Sequence, residues 1–190
     1  EVVAIGAAIQ GAILAGEDRR AGEDVPRIYA QKLDAQGAAI WAPDGVAVCP
    51  SSPSMANPAV LTDGAGGAFV AWENVWSGAV PFVLAQRLDA AGALLWGACG
   101  MAVCSDAGGQ TLPVMASDGA GGVVIAWGDL RGGETTPDIY AQRMTGDSEH
   151  LWQSSGMPVA AVAGEQSNHG IVAAGDGFVI AWQDFRSGLD

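Results

Sequence analysis

A run of apolar residues closing on Ala-Trp occurs three times, at Ala71-Trp72, Ala126-Trp127 and Ala181-Trp182, and both intervals are 55 residues. A step that regular makes the chain an array of one supersecondary unit stacked on its neighbours. The rest of the unit keeps the step. Asp63-Gly64-Ala65-Gly66-Gly67 returns at Asp118 to Gly122 and, shortened, around Gly175-Asp176-Gly177. Ile28-Tyr29-Ala30-Gln31 returns as Val83-Leu84-Ala85-Gln86 and Ile139-Tyr140-Ala141-Gln142, and Trp41 returns as Trp96 and Trp152. Displacing the N-terminal segment by 111 residues lays Ala12 to Ala15 on Val123 to Ala126, Asp18 on Asp129, Arg20 on Arg131 and Pro26 on Pro137. Gly16 then takes the place of Trp127, so one copy has lost its Trp. The chain divides into repeats of about 1–55, 56–111, 112–165 and a partial fourth from 166 to 190.

Each unit reads as four short strands. In the third copy they are expected at Pro113 to Ser117, Val123 to Trp127, Ile139 to Met144 and Met157 to Ala163. The glycines from Gly119 to Gly122 make the tight turn between the first two. Phe69 to Trp72, Val123 to Trp127 and Phe178 to Trp182 are apolar at consecutive positions. A strand with one wet face alternates, so these runs describe strands covered on both faces. A central strand buried twice over is what a propeller blade between neighbouring blades requires. The expected fold is therefore all-β, a β-propeller-like array of about 3.5 four-stranded blades. Closed propellers have about four to eight blades, and here both ends supply the first strands of a blade, so they duplicate rather than complement each other. A segment of a longer propeller is favoured, with an open arc completed by other chains second. Asp190 falls in an expected loop, a plausible cleavage or disorder point.

Composition narrows the partners. With 49% hydrophobic and 15% charged residues the chain can bury a substantial core. No apolar run reaches the roughly 18 residues of a membrane span; the stretch from Val2 to Ala15 is broken by Gly6, Gln10 and Gly11. A formal charge of −13 argues against nucleic acid and anionic membrane surfaces. No signal peptide is legible, and the start at Glu1 reads as a mature or partial product.

The pattern Asp-Gly-x-Gly-Gly, apolar run, Ala-Trp-x-Asp-x-Arg-x-Gly, Asp-Ile-Tyr-Ala-Gln-Arg, Trp and Val-Cys resembles repeat units of large secreted or cell-surface bacterial proteins. The third copy carries it through Asp118, Gly119, Gly121, Gly122, Ala126, Trp127, Asp129, Arg131, Asp138 to Arg143 and Trp152. The resemblance spans nearly the whole chain and implies an extracellular propeller module without a known catalytic activity. The second copy departs from it at Asn74, Trp76 and Leu84.

Candidate functional residues divide into repeated and unrepeated ones. Asp129 with Arg131, Asp184 with Arg186, and Asp18 with Arg20 are expected to pair within their loops, with Arg131 and Arg186 as secondary candidates for gripping carboxylates or sulfated sugars. Trp72, Trp127 and Trp182 are expected in the core, whereas Trp41, Trp96 and Trp152 either stack between blades or present flat faces to sugars. Trp76 breaks the repeat beside Glu73 and Asn74, a combination suited to a carbohydrate or protein contact. Asp-Gly-Ala-Gly-Gly is turn chemistry rather than a calcium site, His150 and His169 lack zinc-ligand spacing, and no cofactor is expected. Cys49 and Cys104 are repeat equivalents expected as small buried side chains; the spacing of Cys99 permits a local bridge to Cys104. A glycosidase needs two carboxylates close together, and Glu17, Glu23, Glu73, Glu149 and Glu165 are scattered. The resulting expectation is a non-enzymatic extracellular module for structure or protein interaction, partnered by other chains or further blades. A carbohydrate-binding propeller is the alternative, with a glycan-active enzyme domain behind it.

Overall fold

A computed structural model describes residues 3–4, 12–18, 26–51, 54–75, 80–132 and 136–186. Its strands form four antiparallel sheets and, among the described residues, there is no helix. The first sheet comprises β1 (Val3–Ala4), β2 (Ala12–Asp18), β3 (Arg27–Leu33) and β4 (Val46–Ala47). The second comprises β5 (Met55–Thr62), β6 (Ala68–Asn74), β7 (Phe82–Leu88) and β8 (Met101–Ala102). The third comprises β9 (Gln110–Ser117), β10 (Val123–Asp129), β11 (Asp138–Met144) and β12 (Met157–Ala160). The fourth is the hairpin β13 (Gln166–Ala174) and β14 (Gly177–Asp184). Strands follow one another across each sheet in chain order, and the first strands pack in series, β5 against β9 and β9 against β13. This is the all-β, propeller-like arc that the repeat implies.

Two expected boundaries move for one reason. β9 begins at Gln110 rather than Pro113 and β10 ends at Asp129 rather than Trp127, because the ladder jumps a bulge between Ala126 and Gly128 and then resumes at Thr111 and Gln110. A proline with no N–H resembles a strand start in sequence but is tolerated at a bulge.

Two of the three continuous apolar runs face two neighbours, whereas the third, Phe178 to Trp182 in β14, has no buried position, and Trp182 is only half-buried rather than core. All seven residues of β6 and all seven of β10 are buried. Val70 and Trp72 pack with Ala15, Ile28, Ala30 and Val48 of the first sheet, while Phe69 and Ala71 pack with Val123, Ile125 and Trp127 of the third. Truncating a Trp in such a position costs about 3–5 kcal/mol. Trp41 and Trp96 lie between blades, their indole N–H groups donating to Ala90 O at 3.1 Å and Gly146 O at 2.8 Å in the following sheet. A glutamine sets each of these rings. Gln86 Nε2 donates to Gly97 O while its Oε1 accepts the Trp96 N–H, and Gln31 and Gln142 repeat this with Trp41 and Trp152.

The sulfur chemistry does not take the local bridge between Cys99 and Cys104 that the spacing permits, and it corrects the expectation that Cys49 is an unbonded buried side chain. Cys49 is bonded to Cys99, joining the first and second sheets, and Cys104 is a buried free thiol. Stacking places the turn before β8 against the strand end of the preceding sheet, so cysteines 50 residues apart meet. One step along the array Ser155 stands at the position of Cys99, and Cys104 Sγ donates to Ser155 O at 3.2 Å. Closing a loop of this size stabilises by about 4 kcal/mol in the chain-entropy model. Cys49→Ser is expected to lower stability by about 2–4 kcal/mol, and Ser155→Cys to form a second bridge with Cys104. Thiol counts in denaturant check both: the native chain should show one reactive thiol before reduction and three after, and Ser155→Cys none before reduction.

The glycine turns add a pH dependence. Burial works against the charge of Asp63, but the Ala65 N–H, the Arg87 guanidinium and the Gly67 N–H outweigh it and hold the carboxyl below its ordinary range. Asp118 is held down in the same way, against burial, by Ala120, Gly122 and Arg143. A carboxyl depressed in the folded state contributes stability above its unfolded value near pH 4, roughly, and loses it as pH falls through the lower folded value. The urea midpoint should therefore fall below about pH 4, and Asp118→Asn should flatten part of that slope.

Candidate functional site

The inner strands carry a distortion that repeats. In β5, Ala56 pairs with Glu73 and Ala59 with Ala71, which leaves Asn57 and Pro58 bulged. Leu112 and Pro113 occupy the same place in β9. Asn57 has φ 51° and Leu112 φ 53°, the left-handed region that asparagine enters more readily than leucine. Such a bulge turns backbone N–H groups out of the ladder, and carboxylates meet them.

Glu17 in β2 accepts the Asn57 N–H at 3.0 Å across the first blade boundary. Glu73, at the equivalent position of β6, accepts the Leu112 N–H at 2.6 Å across the next. The same Glu73 Oε1 accepts Asn57 Nδ2 at 2.7 Å. One asparagine thus joins both carboxylates. Two hydrogen bonds and one side chain keep them within about 10 Å of each other, the range over which glycosidase carboxyls cooperate. Glu17 is exposed, whereas Glu73 is 6% exposed. The arc continues to His169 of β13, whose ring lies near the carbonyls of Ala126 and Leu112. Burial is the largest influence on this ring and lowers its pKa against the pull of those two carbonyls. His169 Nε2 is itself buried without a partner.

The sequence identified Glu17 and Glu73 among scattered acids without pairing them, weighed His169 only as a zinc ligand, and missed Asn57 and Leu112. A usable signal existed. Glu17 and Glu73 fill the place of Gly128 and Gln183 in the other copies, a departure from the repeat of the kind a site requires.

The remaining candidates lie elsewhere. Arg131 bonds both Asp129 oxygens at 2.8 and 2.6 Å and Ser155 O at 2.8 Å, and it lies 3.8 Å over the Tyr140 ring centroid. The Asp129 bond is the main cause holding its charge beyond the ordinary arginine range. Arg186 pairs with Asp184 in an exposed copy of the same loop and is the largest cause of that carboxyl's depressed pKa. Trp127 and Trp182 donate their indole N–H to Asp129 at 2.7 Å and Asp184 at 3.3 Å. Asn74 replaces that aspartate in β6, is 4% exposed, and leaves the Trp72 indole nitrogen buried without a partner. Trp76 and Arg20 lie outside the described residues. Among the described residues no group of three or more His, Cys, Asp or Glu could hold a metal ion.

No protein-family model and no curated protein matches the sequence. Solved structures do match the fold. The α-L-arabinanase of Penicillium chrysogenum, solved with arabinobiose, superposes with a TM-score of 0.52 at 13% identity, over 90% of this chain and 53% of its own. The endo-arabinase of Bacteroides thetaiotaomicron gives 0.54 at 14% identity, over 94% and 73%. The α-L-arabinofuranosidase of Fusarium graminearum, solved with an iminosugar inhibitor, gives 0.55 at 10% identity, over 95% and 57%. The chain therefore spans about half the length of two of these proteins and about three quarters of the third. All three are named for cleaving arabinose-containing glycans, which overturns the expectation of a non-enzymatic module. That expectation rested on acids that looked scattered in sequence, and the bulge brings two of them together.

Arg131 generates its own prediction. The Asp129 side chain is fully buried, so Arg131→Ala leaves a charge without its counterion and should cost about 3–5 kcal/mol. Urea denaturation of the variant measures this; a loss below about 1 kcal/mol would contradict the assignment.

Proposed function

We propose that the chain is part of a glycan-active β-propeller that hydrolyses an arabinose-containing polysaccharide, with Glu17 and Glu73 as the carboxyl pair. The observation that carries this reading is the bridge through Asn57, which sets two carboxylates at cooperative range at the inner end of adjacent blades. Hydrolysis of a glycoside needs one carboxyl to protonate the leaving oxygen and a second to activate water or attack the sugar carbon. Glu17, being exposed, is the group that can meet solvent and exchange its proton with it. Glu73 is oriented by two N–H donors on one oxygen, so its other oxygen points in a fixed direction. Asn57 is the positioning residue for both. The named activities of the three similar structures support the choice of glycan. The Cys49–Cys99 bridge supports an extracellular setting, since such bonds persist where the environment oxidises.

Release of reducing ends from linear arabinan and arabino-oligosaccharides tests the proposal. Glu73→Gln keeps an acceptor oxygen for both N–H groups, so the variant should retain the wild-type melting temperature while kcat falls by about 10²-fold or more. Glu17→Gln should also lower the rate. An inactive wild-type protein across arabinans, or full activity in both variants, would sink the reading.

A further inference from the structure

The bulge of β9 holds a residue that does not suit it. Leu112 has φ 53°, and Asn57 occupies the same place in β5 at φ 51°. A left-handed backbone crowds Cβ against the following carbonyl, a cost that asparagine offsets by hydrogen-bonding locally through its short polar side chain and leucine does not. The step that carries Gln110 to Gln166 also carries Leu112 to Asn168, so the copies on either side of the third have asparagine where it has leucine. One chain thus contains the relaxed choice beside the strained one.

Packing does not account for the leucine. Leu112 is 47% exposed, although β5 and β13 both pack against β9, so neighbours on either side are in place and still leave it open. Its backbone is held from both sides. The Leu112 N–H donates to Glu73 of the preceding sheet at 2.6 Å, and the His169 ring of the following sheet lies near its C=O. A disfavoured backbone that its surroundings enforce beside candidate carboxylates points to a side chain whose position is used. The Leu112 Cα is bonded to the nitrogen that Glu73 accepts, so the side chain leaves the backbone next to that carboxylate. Glu73 also accepts Asn57 Nδ2 at 2.7 Å. The carboxylate therefore has an amide on one side and a branched hydrocarbon on the other, and a sugar ring divides in the same way, into hydroxyls and a face of C–H groups.

We propose that Leu112 is a substrate-binding residue of the carboxyl cleft, an apolar wall on which the C–H face of a neutral glycan ring packs while Glu73 and Asn57 meet its polar edge. The inference rests on the glycan-directed reading above and extends it to a contact that the sequence keeps at the expense of backbone strain. An ionised sugar acid does not fit this wall, because its carboxylate would lie against hydrocarbon and beside Glu73 without a counterion.

Binding, turnover and stability are measured separately. Arabinotriose is titrated by calorimetry into Glu73→Gln, which prevents turnover, alone and combined with Leu112→Asn or Leu112→Met. Hydrolysis and melting temperature are recorded for the same Leu112 substitutions with Glu73 intact. Leu112→Asn copies the second sheet, so its melting temperature should match or exceed that of wild type, by up to about 2–4 °C. Its affinity for arabinotriose and its kcat/KM should each fall by about tenfold or more. Leu112→Met keeps an apolar side chain and should bind within about threefold of the parent. With methyl-labelled leucine, the resonance that Leu112→Asn removes should shift when arabinotriose is added. Undiminished binding in Leu112→Asn, or a methyl resonance that arabinotriose leaves in place, overturns the wall. A melting temperature below wild type in Leu112→Asn also overturns it, by making the leucine a packing residue. Binding that depends on Leu112 without any hydrolysis supports the wall and overturns only the catalytic reading. Absence of arabinotriose binding altogether overturns the wall.

Discussion

Strands β6 and β10 have no face turned to water, and the rest of the molecule follows from that constraint. A strand apolar on both sides is stable only between two other sheets, so a blade is an incomplete object until its neighbours are in place. Shared burial explains why Trp72 belongs to one core cluster and Phe69, three residues earlier, to the next. It also explains the polar devices. The glutamine amides fasten outer loops, those loops hold Trp41 and Trp96, and each indole N–H then reaches the following sheet.

The carboxylates belong to the same logic. The bulge at Asn57 or Leu112 frees an amide at a blade boundary, where an unpaired N–H costs about 1–3 kcal/mol. Glu17 and Glu73 satisfy those amides from the preceding sheet. A structural need thus brings acidic groups to the inner strand ends. Because Gly128 takes the third such position, the acids cluster on one side of the arc instead of forming a ring.

Legibility in the sequence divides along the distance over which each feature acts. The period, the strand order and the doubly buried runs are properties of contiguous residues, so they could be read directly. The pairing of Asp129 with Arg131 is equally local. The contacts between Cys49 and Cys99, and between Glu17 and Glu73 through Asn57, exist only because blades stack in register. Spacing along the chain misdirected both, pointing Cys99 toward Cys104 and making the acids look scattered. The repeat alignment held the correction: Ser155 at the Cys99 position and Gly128 at the Glu73 position mark where two copies differ in chemistry but not in frame.

The last hairpin gives the array a direction. Val172 and Val179 of the fourth sheet are 58% and 54% exposed, while Val124 and Phe69, which hold the place of Val179 in earlier copies, are 0% and 1% exposed. Nearest-neighbour stacking makes cohesion a sum of local interfaces, and of the interfaces between the described sheets only that between the first and second carries a disulfide. The opposite end is covalently clamped by the Cys49–Cys99 bond. On heating, the interfaces held by packing alone should consequently part before the one that is bonded, so the first two sheets separate last.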